Sequence, residues 1–379
     1  MTHVTGEWRT NPKTQAVCAA LAEFDLYFVG GCVRNALIGA PVADIDLSTN
    51  ARPDAVTNAA EAAGLKVIPT GIDHGTVTVV SGGIPHEITT FRKDVATDGR
   101  RATVAFADTI TDDALRRDFT MNALYASPNG TLVDPLGGLP DLQARRVRFI
   151  EDADQRIKED YLRILRFFRF HAWYGDASQG LDADGLAACA ANIEGLARLS
   201  KERIGAETLK LLAAPDPAPS VAAMAACGAL GQILPGANHE FLAPLIHLEG
   251  TNQPRALRRL ACVGGQDLPS NLRLSKQDAA QLTQIRNGAV DGEKPSVLAY
   301  RFGAQIALDA TLVRCALTNQ ELPPDLDQQI AVGARAEFPV KAADLMPKLS
   351  GAALGKTLAK LENQWIEADF KLSKQQLLR

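Results

Sequence analysis

Two carboxylates one residue apart, Asp44 and Asp46, are the first groups in this chain with the spacing for chemistry. Side chains alternate faces along a strand, so both carboxylates point the same way while Ile45 turns into the core. Such a pair suits Mg²⁺, which takes one or two carboxylates and completes its shell with water and substrate phosphates. An isolated Asp-x-Asp is also a common polar strand end, and it is the upstream context that changes its meaning. Gly30-Gly31 lies where the apolar run 25–29 gives way to an amphipathic stretch ending at Ile38. A strand turning into a helix there would let backbone N–H groups approach an anion at the helix N-terminus. Arg34, one turn in, can add charge-assisted hydrogen bonds to the same anion. Glu87 is a candidate third carboxylate. The constellation is a phosphate cradle beside a metal platform.

The elements that must position these residues form a mixed α/β region over 1–150. A short strand is expected from Ala43 to Thr49, followed by a helix that Pro53 opens and that closes near Gly64. Thr76–Val80 and His86–Thr90, separated by Ser81-Gly-Gly83, read as a hairpin. Residues 93–112 are charged, rich in Thr and Asp and without periodicity, which predicts a mobile loop. Beyond about residue 150 the strand signals stop, and Ala, Leu and Arg recur at three-to-four-residue spacing. That helical pattern is interrupted at Pro215-Asp-Pro217-Ala-Pro219 and at Leu322-Pro-Pro324.

Composition narrows the class. The 379 residues exceed what one core organises, and 46% hydrophobic with 22% charged residues describe a globular protein and exclude a disordered one. No run is long and apolar enough for a membrane span, and residues 1–10 lack the apolar segment of a signal peptide. Six scattered cysteines without a Cys-x-x-Cys pair predict neither a zinc ribbon nor a disulfide framework, hence a reduced, cytoplasmic protein. The net charge of −4 does not favour nucleic acid, yet the basic residues are clustered, at Arg100-Arg101, Arg116-Arg117, Arg145-Arg146-Val-Arg148 and Arg163/Arg166/Arg169. Local patches attract a phosphate backbone whatever the total.

Phe28-Val-Gly-Gly-Cys-Val-Arg34 through Asp44-Ile-Asp46 resembles the signature of the tRNA nucleotidyltransferase and bacterial poly(A) polymerase family, of the polymerase-beta-like type, in its bacterial (class II) branch. His74-Gly-Thr76, Glu87-Ile-Thr-Thr-Phe-Arg92, Arg116-Arg-Asp-Phe-Thr-Met-Asn-Ala-Leu124, Asp134-Pro-Leu-Gly-Gly138 and Glu159-Asp-Tyr-Leu-Arg-Ile-Leu-Arg166 agree with it in order. The match is dense over 25–210 and thin beyond. Asn35 departs from it, because the family usually has Asp after the Arg.

The resemblance implies an α+β fold: a polymerase-beta-like nucleotidyltransferase head, a mixed sheet with helices, followed by an all-helical C-terminal half. The expected parts are a catalytic head at 1–148, a helical neck at 149–214, a body at 215–325 and a tRNA-binding tail at 326–379. The implied reaction adds C and A to the 3′ end of tRNA from CTP and ATP with pyrophosphate release. Asp44, Asp46 and Glu87 would be catalytic, the two aspartates holding Mg²⁺. Gly30, Gly31, Arg34, Arg116, Arg117, Arg166 and Arg169 would bind the nucleotide. Arg255, Arg258, Arg259, Lys341, Lys356 and Lys360 are the cations expected to face tRNA. The family's loop at 93–112 assists the switch to A.

Asp160 and Arg163 are the most specific expectation. They lie three residues apart on what reads as one helix from Asp152 to Tyr174, and by spacing alone they form an intrahelical ion pair. In the family the matching pair serves as a protein template for the incoming base. Cytosine and adenine each present an amino donor beside a ring-nitrogen acceptor, which a carboxylate and a guanidinium complement. Uracil and guanine reverse both groups. Phe167, Phe168 and Phe170 read as core. Gly351-Ala-Ala-Leu-Gly-Lys-Thr357 imitates a P-loop but is a residue short and lacks a preceding strand, and His239 and His247 have no metal-ligand spacing. A poly(A) polymerase uses the same head, though a strongly basic C-terminal extension is missing here; an A-only or CC-only enzyme is the other alternative.

Overall fold

The computed structural model describes residues 2–72, 75–98, 101–346 and 348–379, and the side chains of 94–98 and 101–104 are not described. His74 and Arg100, singled out above, lie outside the described residues, as does the side chain of Arg101. The described chain divides into two compact units, Met1–Pro235 and Gly236–Arg379.

The first unit carries a seven-stranded mixed sheet in the order β3-β4-β5-β2-β1-β8-β9. Its strands are β1 (Leu26–Val29), β2 (Asp46–Thr49), β3 (Lys66–Gly71), β4 (Thr76–Ser81), β5 (Ile84–Thr90), β8 (Tyr125–Ala126) and β9 (Leu132–Val133). Only β2 and β5 run parallel; the other neighbours are antiparallel. The β4–β5 hairpin turns through Gly82 and Gly83, both at positive φ, a conformation that glycine adopts without a Cβ penalty. The Pro53–Ala62 helix starts on its proline and buries Val56 and Ala60, one turn apart.

Strand β2 begins at Asp46, so Asp44 precedes it. The ladder nevertheless reaches one step back, since Glu87 N donates to Ile45 O at 3.1 Å. Ile45 and Leu47 are buried while Asp44 is exposed and Asp46 half-buried, the alternation expected of extended backbone.

The structure corrects two local expectations. Residues within 93–112 are not a loop throughout: β6 (Arg92–Asp98) and β7 (Arg101–Phe106) form a separate antiparallel ribbon, and a helix follows at Ile110–Leu115. Polar residues on both strands leave no apolar alternation to read, while backbone pairing needs none. The expected helix from 152 to 174 is two helices, Ala153–Glu159 and Leu162–Tyr174. Between them Asp160 is extended, at φ −153° and ψ 105°. No Pro or Gly marks the break in sequence. The Asp160 carboxylate instead caps the second helix, accepting from Leu162 N at 3.1 Å.

From Ala153 onward the described residues form helices and no strands. Phe167, Phe168 and Phe170 are core, packed with Phe119 and Phe149. In the second unit the P-loop imitation is the start of the Gly351–Glu367 helix, whose Leu358, Leu361 and Trp365 pack together.

Three cations expected on a tRNA-facing surface are used inside this unit. Arg258 and Arg259 are each 1% exposed and bind Glu249 at 2.8 and 2.7 Å. Arg258 and Arg255 both pair with the fully buried Asp309. The helical stripe of Leu257, Leu260 and Ala261 carries these arginines inward with it, and buried carboxylates make that tolerable. Lys341, Lys356 and Lys360 are exposed.

Candidate active site

The parallel register of β2 and β5 brings the expected carboxylates together. Asp46 is the direct partner of Glu87, and register partners share a face. Buried neighbours confirm the parity, since Leu47 opposes Ile88 and both are in the core. Burial raises the Asp46 pKa to about 6, and the negative charges of Glu87 and then Asp44 push the same way against the opposing pull of Arg117. Among the described residues no group of three or more His, Cys, Asp or Glu side chains is placed to hold a metal by itself.

Beside it the chain turns from β1 into the Gly31–Leu37 helix through Gly30, at φ 69° and ψ −120°. A Cβ on Gly30 would stand 3.5 Å from Arg117 Nη1, so the glycine and this guanidinium are neighbours. Arg116 and Arg117 hold the buried Asp113 from both sides, at 2.7 and 2.9 Å. Burial alone would raise the Asp113 pKa; Arg117, then Arg116, and a hydrogen bond from Tyr125 reverse that and hold it well below the usual carboxylate range. Ser48 of β2 also donates to Asp113, at 3.1 Å. One carboxylate therefore ties two arginines to the strand that carries Asp46.

The remaining arginines are oriented in the same manner. Arg166 pairs with the buried Asp118 at 2.6 Å, and Arg169 with Glu207 at 2.5 Å. Arg34 is 6% exposed. It donates to Asn35 Oδ1 at 3.1 and 2.9 Å, to Asn122 Oδ1 at 2.5 Å and to the Tyr174 hydroxyl at 2.8 Å, and its guanidinium lies 3.9 Å from the Tyr174 ring centroid. Most of its N–H groups are thus committed within the protein. Burial lowers its pKa because none of these hydrogen-bond partners carries a full charge. Asn35 takes the place of a carboxylate there and also donates to Pro41 O at 2.8 Å. Arg34, Arg166 and Arg169 all approach the Phe170 ring, at 5.2, 5.2 and 4.5 Å from its centroid. Three guanidiniums thus gather around one ring, two of them paired with carboxylates.

Asp160 and Arg163 do not bind each other. Asp160 Oδ2 accepts from Arg203 Nη2 at 2.6 Å. Arg163 is held by Glu159 at 2.5 Å and by the carbonyls of Arg156 and Arg116 at 2.9 and 3.0 Å. Sequence reasoning passed over Asp113, Asn122 and Asp118 as partners, although Asp113 stands three and four residues before the arginines it binds. Arg203 and Glu207 had no local signal.

This geometry has known counterparts. A model of the poly A polymerase head domain matches residues 26–148, and one described as a probable RNA and SrmB-binding site of polymerase A matches 181–241. CCA tRNA nucleotidyltransferase 1, mitochondrial, from Mus musculus is 33% identical over 372 residues, covering 93% of this chain and 86% of its own. The chain belongs to the CCA-adding tRNA nucleotidyltransferase family. A bacterial CCA-adding enzyme, from Geobacillus thermodenitrificans, is 35% identical over 80% of this chain and 77% of its own. The crystal structure of the Bacillus stearothermophilus CCA-adding enzyme in complex with CTP superposes with a TM-score of 0.75 at 28% identity, covering 95% of this chain and 94% of that one. This CCA-adding family member is accordingly a nucleotidyltransferase with an α+β head and a helical C-terminal half, in a family that works with a divalent metal. No helix among its described residues is long and apolar enough to cross a membrane.

Proposed function

We propose that this enzyme adds C and A to the 3′ end of tRNA from CTP and ATP, with the tRNA 3′-hydroxyl attacking the α-phosphate and pyrophosphate leaving. The observation that carries the reading is the pairing of Asp46 with Glu87 in register, beside Asp44, Gly30 and Arg117. These residues fit Mg²⁺: the set is all oxygen, is incomplete by itself, and holds Asp46, whose pKa is raised by burial and then by the like charges of Glu87 and Asp44. Asp44 and Asp46 would hold it, with Glu87 as their neighbour. When bound, Mg²⁺ supplies neutralisation of charge on the triphosphate and on the departing pyrophosphate.

The other roles belong to the protein. Gly30 and Gly31 admit the triphosphate to the backbone N–H groups of the helix start. Arg116, Arg117, Arg166 and Arg169 surround it, and Arg34 adds its field from behind. Asp160 and Arg163 read the base edge, the carboxylate accepting from the amino group of C or A and the guanidinium donating to the ring nitrogen. The chain divides functionally into a head at 1–148, a neck at 149–214, a body at 215–325 and a tRNA-binding tail at 326–379. Six free cysteines support a cytoplasmic protein.

A gel assay with tRNA ending one, two or three nucleotides short, given each NTP separately, tests this. Completion to CCA from CTP and ATP alone is expected. Extension by A only, a stop after CC, or untemplated A tracts would replace the reading with the A-only, CC-only or poly(A) alternative.

A further inference from the structure

Asp160 and Arg163 can serve a base only if they do not neutralise each other, and the structure keeps them apart. Arg163 has five N–H donors. Two on Nη1 go to Glu159 and the Arg156 carbonyl and one on Nη2 to the Arg116 carbonyl, which leaves Nε–H and one Nη2–H. Each oxygen of Asp160 has a single partner, Leu162 N on Oδ1 and Arg203 Nη2 on Oδ2, so each retains an accepting lone pair. A continuous helix would have set the two side chains face to face, where an ion pair consumes these groups.

The tether on Asp160 comes from a firmly placed element. Arg203 stands in the first turn of the Lys201–Leu212 helix, which is fixed on the Leu162–Tyr174 helix by two further hydrogen bonds. These run from Arg169 to Glu207 at 2.5 Å and from Trp173 Nε1 to Lys210 O at 2.8 Å. The segment leading into it packs on the helix break as well: Arg198 lies 5.5 Å from the Tyr161 ring centroid, and Gly195 sits against that ring.

We propose that Arg203 is a positioning residue for nucleotide selection, holding the Asp160 carboxylate turned from Arg163 and open to the amino group of the base. This rests on the base-reading role given to Asp160. With Arg203 removed, the carboxylate is free to swing onto Arg163, and both lose the capacity to tell C and A from U and G.

Full-length Arg203→Met, Arg203→Lys and Asp160→Ala enzymes, compared in single-turnover incorporation of CTP and UTP on tRNA lacking its 3′ nucleotides, test the proposal. Arg203→Met should narrow the CTP/UTP ratio of kcat/KM about tenfold, within the range expected for one unmet polar group. Arg203→Lys should restore part of it. Active-enzyme concentration cancels in the ratio, so partial unfolding cannot imitate the effect. Should the Met variant yield no folded protein, Arg203→Gln gives the same readout. A wild-type ratio in the Arg203 variants with a narrowed ratio in Asp160→Ala overturns the positioning role alone. A wild-type ratio in Asp160→Ala overturns the base-reading role and this proposal with it.

Discussion

Asp160 is bound to Arg203, forty-three positions along the chain, and not to Arg163, which lies three residues away. The preference follows from backbone geometry. Asp160 is extended between two helices, so its side chain leaves the helical face on which Arg163 sits, and the Lys201–Leu212 helix meets it there. Asp160 and Arg163 are thereby kept from pairing with each other.

Substituting either member should change which nucleotide is used more than whether chemistry occurs. Leaving one donor or acceptor of C or A unmet in a buried site costs about 1–3 kcal/mol, roughly a five- to 150-fold loss in kcat/KM. UTP and GTP lose less, being mismatched from the start. Asp160→Ala and Arg163→Ala should both narrow the CTP/UTP ratio. An unchanged ratio in both would retire the template reading.

Asp46→Ala should remove incorporation while leaving tRNA binding near wild type. Loss of a metal-holding carboxylate costs several kcal/mol in the transition state, a fall of about a hundredfold or more. Turnover by quench-flow and tRNA affinity by filter binding separate the two effects. Near-normal turnover counts against the metal platform.

Gly195 lies against the Tyr161 ring so closely that an added Cβ would stand 1.9 Å from Cδ1 and 2.4 Å from Cγ. The ring cannot yield without moving the break that carries Asp160. Gly195→Ala should destabilise the protein by about 1–3 kcal/mol, as overpacking does, read from urea unfolding. A stability equal to wild type would show that the break shifts freely.

The Asp118 carboxyl offers a pH test. Burial alone would raise its pKa, but Arg166, the Asn122 amide and Arg163 outweigh that and hold it at about 2. A depressed pKa stabilises the folded state above the unfolded value of about 4, and the contribution is lost as pH falls through the folded value. Asp118→Asn should therefore be less stable than wild type at pH 7, on the order of 2 kcal/mol, and the gap should close between about pH 4 and pH 2. Urea unfolding over that range measures it. A gap that persists below pH 2 would assign the loss to packing.

The cations of the second unit should fall into two classes. Asp309→Ala removes the buried carboxylate that Arg255 and Arg258 share, leaving Arg258 with Glu249 alone, and should cost roughly 3–5 kcal/mol of stability. The exposed Lys341, Lys356 and Lys360, changed together to Gln, should leave stability unchanged and weaken tRNA binding. The slope of log affinity against log salt should become shallower by about 0.7–0.9 for each phosphate these lysines neutralise. Unchanged affinity and salt slope would remove the tail from the tRNA surface.

What the sequence determined by itself was whatever depends on near neighbours along the chain. The alternation of Asp44, Ile45 and Asp46 places both aspartates on one face, and Gly30-Gly31 announces the turn beneath them. The β4–β5 hairpin and the helix begun by Pro53 were legible for the same reason, since backbone geometry repeats every two or 3.6 residues. Tertiary structure alone decided the distant partners of charged groups. Nothing near Asp160 signals a helix break; there Leu162 N and Arg203 each take one oxygen of its carboxylate. Arg258 and Arg259 look like surface cations because the carboxylates that compensate their burial, Glu249 and Asp309, stand on other helices. Arg34 reads as a phosphate ligand until Asn122 and Tyr174 are seen to occupy it. A charge acts through space and settles where desolvation is best compensated, and the residues that compensate it here stand up to 140 positions away along the chain.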